Sequence, residues 1–393
     1  MYPLASTTWD EEELLVVNEL LRSGRLTLGA EVKDFERLFA EYIGTKYAVM
    51  FNSGSSANLG ILAALRYISN GGLKPGDHVI VPAVSWSTTY FPVSQLGFVL
   101  DFVDVNPNTL NINVEEVASS ITSKTKAIFA VNLLGNAANL VDLADLAKAH
   151  GLILIEDNCE SLGASIDGRM AGSFGLMASH SSYFSHHICT IEGGMVTTDS
   201  RECMEVLTSL RSHGWTRGLE RDNSVHPLSD NSWEDLFRFV LPGYNLRPME
   251  LSGSIGKIQL RKFPNFLEER RKNAKVFKNL FYDSKSYRMQ TEHGLSSWFG
   301  FSIILQGKLV GKRSELVEYL SRLDVESRPI VAGNFTRNPV MNHLEFNALP
   351  PLPVADEIHH QGLFIGNHHL NFEKEIRRLH QLLVDFETIH QDS

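Results

Sequence analysis

Short apolar runs alternate with amphipathic stretches along the first part of the chain. The runs at 47–51, 78–82, 98–105, 127–134 and 152–156 predict strands, and 57–68 and 140–150 carry helical spacing between them. The last run, Leu152-Ile153-Leu154-Ile155-Glu156, is apolar almost throughout, as in a strand covered on both faces. Strands alternating with helices imply βαβ units and a mostly parallel sheet flanked by helices, an α/β fold.

The pattern changes after about Pro242. Helices are predicted at 250–262 and 266–281, then a strand at 298–305 and helices at 314–323 and 374–386. The expected organisation is a large α/β domain over 1–245 and a smaller α+β domain over 246–393. At the start, Thr8-Trp9-Asp10-Glu11 reads as a capping box, followed by Leu14, Val17, Leu20 and Leu21 at helical spacing. The stretch 219–235 is polar and turn-rich. The basic run Arg270-Arg271-Lys272 reads as a solvated helix face.

Composition narrows the function. Of 393 residues, 43% are hydrophobic and 21% charged, which is globular and excludes disorder. The net charge of −10 opposes a general nucleic-acid or anionic-membrane surface. No uncharged run is long enough to span a bilayer. The N-terminus lacks a basic region followed by an apolar core, so no signal peptide is expected, and three scattered cysteines suit a reducing cytoplasm. Neither a zinc nor an iron–sulfur spacing is present, and no metal site is expected.

Two tracts suggest chemistry by themselves. Asn52-Ser53-Gly54-Ser55-Ser56-Ala57-Asn58 lies between a strand and a helix, where small residues and free N–H groups favour a phosphate, although Gly/Ser turns at such places are usually structural. Asp157 follows the buried strand, at the sheet edge where open parallel sheets bind ligands. A carboxylate there can keep a heteroaromatic nitrogen protonated. Read alone, Asp157 is better explained as a helix cap after a strand.

A third tract, Ser181-Ser182-Tyr183-Phe184-Ser185-His186-His187, precedes Ile191-Glu192-Gly193-Gly194. With Pro82-Ala83-Val84-Ser85-Trp86-Ser87-Thr88-Thr89, these resemble the sugar aminotransferase branch of the fold-type I pyridoxal-phosphate enzymes. The resemblance runs along most of the chain and implies that family's seven-stranded sheet and a homodimer with shared active sites. In that family a lysine six residues before the Glu of the E-G-G turn holds the cofactor covalently. Here that position is His186.

The resemblance then implies roles by position. Gly54, Ser55 and Ser181 would bind the cofactor phosphate and Trp86 would stack on the ring. Asp157 would meet the ring nitrogen and Glu160 the ring hydroxyl side, while Asn245 would reach the phosphate of a second subunit. His213, Arg217, Arg247 and Arg328 are weaker carry-overs as substrate contacts. With no lysine, pyridoxal 5′-phosphate or pyridoxamine 5′-phosphate would be held without a covalent bond, and His186 would be the catalytic acid/base. The implied reaction removes the carbon-3 hydroxyl of a nucleotide-linked sugar, most closely GDP-4-keto-6-deoxymannose, and releases ammonia. L-Glutamate would reload the cofactor. Lysine at 186 would have indicated a 4-aminotransferase, and the iron–sulfur form of the same deoxygenation would need clustered cysteines. A regulator that binds the cofactor without turnover would keep Asp157 but need no base.

Overall fold

The structure, a computed structural model, describes residues 1–390 apart from Leu28, Asn70 and the side chain of Ser232, so the end of the 246–393 span lies outside the described residues. In chain order the strands are β1 (Tyr47–Phe51), β2 (His78–Pro82), β3 (Val99–Val103), β4 (Thr125–Val131), β5 (Ile153–Asp157) and β6 (Ser165–Ile166). They continue with β7 (Arg169–Met170), β8 (Met177–Ser181), β9 (Gly194–Thr198), β10 (Tyr287–Arg288), β11 (Gly300–Leu305) and β12 (Gly362–Gly366).

Seven strands form the main sheet in the order β1-β9-β8-β5-β4-β2-β3. Only β9 runs against its neighbours; the other pairings are parallel. Alternation along each strand feeds both faces. Val79 and Val81 of β2 pack with Ile61, Leu62 and Leu207 on one side. Ile80 packs with Val117, Leu140 and Leu143 on the other. Burial on both faces is why 152–156 is apolar almost without interruption.

A second sheet, β10-β11-β12, is antiparallel. Its core joins Phe301, Ile303, Leu316, Leu320, Leu379 and Leu383, with Tyr2 from the N-terminus inserted among them. The predicted break near residue 264 is absent: one helix runs Glu250–Phe281 through Pro264. Proline removes one backbone donor, but tertiary packing on both sides outweighs that loss. Leu260, Phe263 and Leu267 pack with Val32, Phe35 and Phe39 of the helix Ala30–Ile43. Ala274, Phe277 and Phe281 belong to the small-sheet core, where Phe277 stacks on Phe301 at 4.1 Å.

Two other expectations are corrected. The first helix, Glu11–Ser23, is capped by a box between Asp10 and Glu13. Thr8 is buried instead, its hydroxyl donating to Gln259 Oε1 at 2.6 Å. On that helix the acidic Glu13 is the buried residue, paired with Lys262 at 2.9 Å, whereas Leu14 and Leu21 are about half exposed. The basic run is not a solvated face either. Arg270 is buried and donates to the carbonyls of Phe299 (3.2 Å) and Asn367 (2.9 Å), and only Lys272 lies outside, paired with Glu268 and Glu269.

Candidate active site

The carboxyl ends of β1, β4, β5 and β8 surround a cavity of about 680 Å³. Its wall includes Ser53, Gly54 and Ser55 at the start of the helix Gly54–Ala64. Ser53 caps that helix, its hydroxyl accepting from the Ser56 N–H at 3.0 Å. The remaining first-turn N–H groups therefore point to a site suited to an anion. A side chain at Gly54 would place its Cβ 2.7 Å from Ser181 Cβ, and one at Gly194 would lie 2.1 Å from the Ser53 carbonyl oxygen. Both glycines allow β8, β9 and the helix start to converge on one small cradle. No lysine is among the residues lining the cavity.

Asp157 ends β5 and faces this cavity, while Glu156, one residue earlier, points to the other side of the sheet. Glu156 is fully buried and accepts from the N–H groups of Gly172 (2.7 Å), Phe174 (2.7 Å) and Gly175 (2.8 Å), a purely architectural anchor. Asp157 is fixed differently. Its Oδ2 accepts from Asn58 Nδ2 and Thr89 Oγ1, both at 2.8 Å, and its Oδ1 accepts from the Cys159 N–H at 3.2 Å. Asn58 Oδ1 is buried and has no hydrogen-bond partner among the described residues. Asn58 and Thr89 were not singled out from the sequence. The signal was their position inside the two tracts already read as a phosphate turn and a ring-stacking segment. Trp86 lines the cavity just before the helix Ser87–Gln95 and is 57% exposed.

His186 lies on the turn after β8 and lines the same cavity. Its Nδ1 is buried without a partner, and neither ring nitrogen bonds to a neighbour among the described residues. Burial, aided by the charges of Arg328 and Arg270, lowers its pKa to about 3, so the imidazole is neutral at physiological pH. His187, one residue on, is buried against Ser297 and Phe263 and does not line the cavity. Glu160 accepts from the Leu134 N–H at 3.1 Å; burial raises its pKa, opposed by Arg328. The Arg328 guanidinium lies over Phe364 at 4.5 Å and forms no ion pair or hydrogen bond among the described residues. It is an uncommitted cation facing the cavity.

The fold thus brings together Gly54, Ser55, Trp86, Asp157, Glu160, Ser181, His186 and Arg328. It does not bring Asn245, His213, Arg217 or Arg247 to the same wall. Arg247 Nε donates to Asn245 Oδ1 at 3.0 Å, with Asn245 exposed. His213 has a φ of +63° and packs against Trp215, over whose ring Arg217 sits at 5.6 Å.

An anion cradle, a fixed carboxylate and a flat indole around one cavity suit a planar heteroaromatic phosphate. That is the class of site found in pyridoxal-phosphate enzymes, and the orphaned Asn58 Oδ1 and His186 Nδ1 leave polar groups for a guest. The chain matches the model of the DegT/DnrJ/EryC1/StrS aminotransferase family over residues 7–383, and it belongs to that family. A GDP-4-keto-6-deoxy-D-mannose 3-dehydratase of Yersinia pseudotuberculosis is 47% identical over 384 residues, covering 97% of this chain and 98% of that protein. Two solved structures of a GDP-4-keto-6-deoxymannose 3-dehydratase superpose with TM-scores of 0.95 at 46% identity, covering 98% of this chain and 100% of each. One holds a trapped PLP–glutamate geminal diamine; the other is a variant with bound GDP-perosamine.

Proposed function

We propose that this chain is a pyridoxamine-phosphate-dependent sugar-nucleotide 3-dehydratase. Its substrate is GDP-4-keto-6-deoxy-D-mannose, its product the 4-keto-3,6-dideoxy sugar, and L-glutamate restores the amine form of the cofactor. The observation that carries this reading is His186, at the position where the family holds its cofactor lysine, with an unpartnered imidazole nitrogen beside the cavity.

When bound, the cofactor supplies an amine that joins the sugar ketone and a ring that takes up an electron pair. Gly54, Ser55 and Ser181 hold its phosphate through the helix start, and Trp86 covers the ring. Asp157, kept in place by Asn58 and Thr89, keeps the ring nitrogen protonated. Glu160 serves the ring hydroxyl side. His186 would take a proton from the cofactor's C4′ carbon and give one to the departing carbon-3 hydroxyl. Because it is not tethered to the cofactor, it remains free for that second transfer. Arg328 meets the sugar diphosphate.

Asn245 completes the phosphate site of a second copy of the chain, and His213, Arg217 and Arg247 contribute to that copy's substrate site. The assembly is then a homodimer with shared sites. The described residues include no helix long and apolar enough to cross a membrane. We place the enzyme in the cytoplasm, where it makes a deoxysugar such as colitose for lipopolysaccharide O-antigen.

The test is incubation with L-glutamate, pyridoxal phosphate and GDP-, CDP- or dTDP-linked 4-keto-6-deoxy sugars, reading ammonia and product mass. Ammonia with the GDP sugar alone and a product lacking one oxygen are expected. An amino sugar as product would make the chain an aminotransferase, and no turnover with any sugar would make it a binding protein. A His186→Lys variant that dehydrates as well as the parent would also refute the reading.

A further inference from the structure

Histidines that transfer protons usually have their orientation and tautomer fixed by a hydrogen bond on the second ring nitrogen. His186 has none among the described residues, so its orientation comes from packing. Two rings lie against it, Tyr183 with centroids 5.9 Å apart and Phe299 at 5.2 Å. Tyr183 belongs to the same turn, its carbonyl accepting the His186 N–H at 2.9 Å, and it is 45% exposed. Phe299 comes from a distant part of the chain and is 4% exposed.

Phe299 is held unusually firmly. Its N–H donates to the Leu134 carbonyl at 3.1 Å and its own carbonyl accepts from Arg270 Nη1 at 3.2 Å. The N–H of the same Leu134 donates to Glu160. Trp298 and Leu134 carry φ values of +49° and +55°, a strained region for such side chains that persists only where the surroundings enforce it. A Cβ on Gly135 would lie 2.5 Å from the Phe299 nitrogen, so the two segments cannot slip past one another. The same ring meets His187 at 5.5 Å and the Arg328 guanidinium at 6.0 Å.

We propose that Phe299 is the positioning residue for His186, its ring doing by packing what a hydrogen-bonded partner does for other catalytic histidines. It couples the small sheet to the cavity, because β11 starts at the next residue. The inference rests on the acid/base reading of His186 given above.

The test uses the full-length protein and three variants. Phe299→Met keeps volume but removes the ring, and Phe299→Tyr keeps the ring. Phe364→Met removes a buried ring that touches Arg328 and Phe299, with no ring contact to His186. Misplacing an acid/base group costs turnover more than binding, so Phe299→Met should lose about tenfold or more in kcat with KM for the sugar nucleotide changed by less than about threefold. Phe299→Tyr should stay within about threefold of the parent, and Phe364→Met should keep kcat while raising KM. NMR of ligand-free protein with labelled histidine gives an independent readout. The parent should show an Overhauser contact between the His186 and Phe299 rings, and Phe299→Met alone should displace or broaden the His186 signals. Unchanged kcat or His186 signals in Phe299→Met, or equal losses of kcat in both methionine variants, would overturn the proposal. So would a missing ring–ring contact in the parent, which decides the matter even if Phe299→Met does not fold. A parent that releases no ammonia would defeat the functional reading instead, leaving the NMR result standing.

Discussion

Eight of the residues expected at the site meet around one cavity, and four do not. Asp157, Glu160, Ser181 and His186 sit at or just after the ends of adjacent parallel strands, so the sheet itself brings them together. Asn245, His213, Arg217 and Arg247 do not line the cavity; His213 and Arg217 pack on Trp215, whose ring meets Phe237 and Phe239, exposed by 68% and 59%. Adjacent large apolar groups left open to water mark an interaction surface. In the homodimer proposed above, the four outlying residues would serve the cavity of the second copy, which one chain by itself does not display.

The largest expected effect is within the cavity. His186→Asn should lower ammonia release by about a hundredfold to ten-thousandfold, the usual span for a lost acid/base group. Cofactor affinity, read by absorbance titration, should change only a few-fold, since the cofactor is held without a covalent bond. Asp157→Asn should cost about a hundredfold or more by removing a preorganised charge, and in that variant cofactor affinity should fall as well. A variant with full turnover would remove Asp157 from the chemistry.

The surface group offers a sharper test. Asn245→Ala chains mixed with His186→Asn chains should regain up to about a quarter of parental activity, since half of the dimers are mixed and each has one intact site. No regain on mixing, with both variants folded, would place Asn245 outside a shared site.

The smallest effect concerns pH. His180 and His186 are lowered to about 3, and His368 and His369 to about 4, in each case chiefly by burial. Between those values and the ordinary histidine range the unfolded chain binds more protons than the native one. Their contribution to stability is thus complete above about pH 6.5 and is lost as pH falls toward 4 and 3. The urea midpoint should decline between pH 7 and pH 5. A midpoint that rises over that interval would contradict neutral burial.

Much of this was legible in the sequence. The strands at 47–51 and 78–82 and the helix at 140–150 coincide with the structure, because local hydrophobic period decides them. The E-G-G register located His186 without coordinates. Other features resisted for tertiary reasons. The helix through Pro264 is held by contacts to two different cores, and Arg270 is buried because backbone carbonyls from Phe299 and Asn367 converge on it. Glu13 is inside and Leu14 half outside, since the partner of Glu13 is Lys262, far along the chain.

By itself the sequence determined the fold class and the positions of the small-residue turn at 52–56, of Asp157 at a strand end and of His186 in the register of the E-G-G turn, while their cofactor roles came from the resemblance. These depend on residue type at short spacing. Only the tertiary structure decided that Asn58 and Thr89 fix Asp157, that Arg328 is left uncommitted, and that Phe299 lies against His186. Each of these depends on side chains far apart in sequence meeting in space, and on whether a buried polar group finds a partner there.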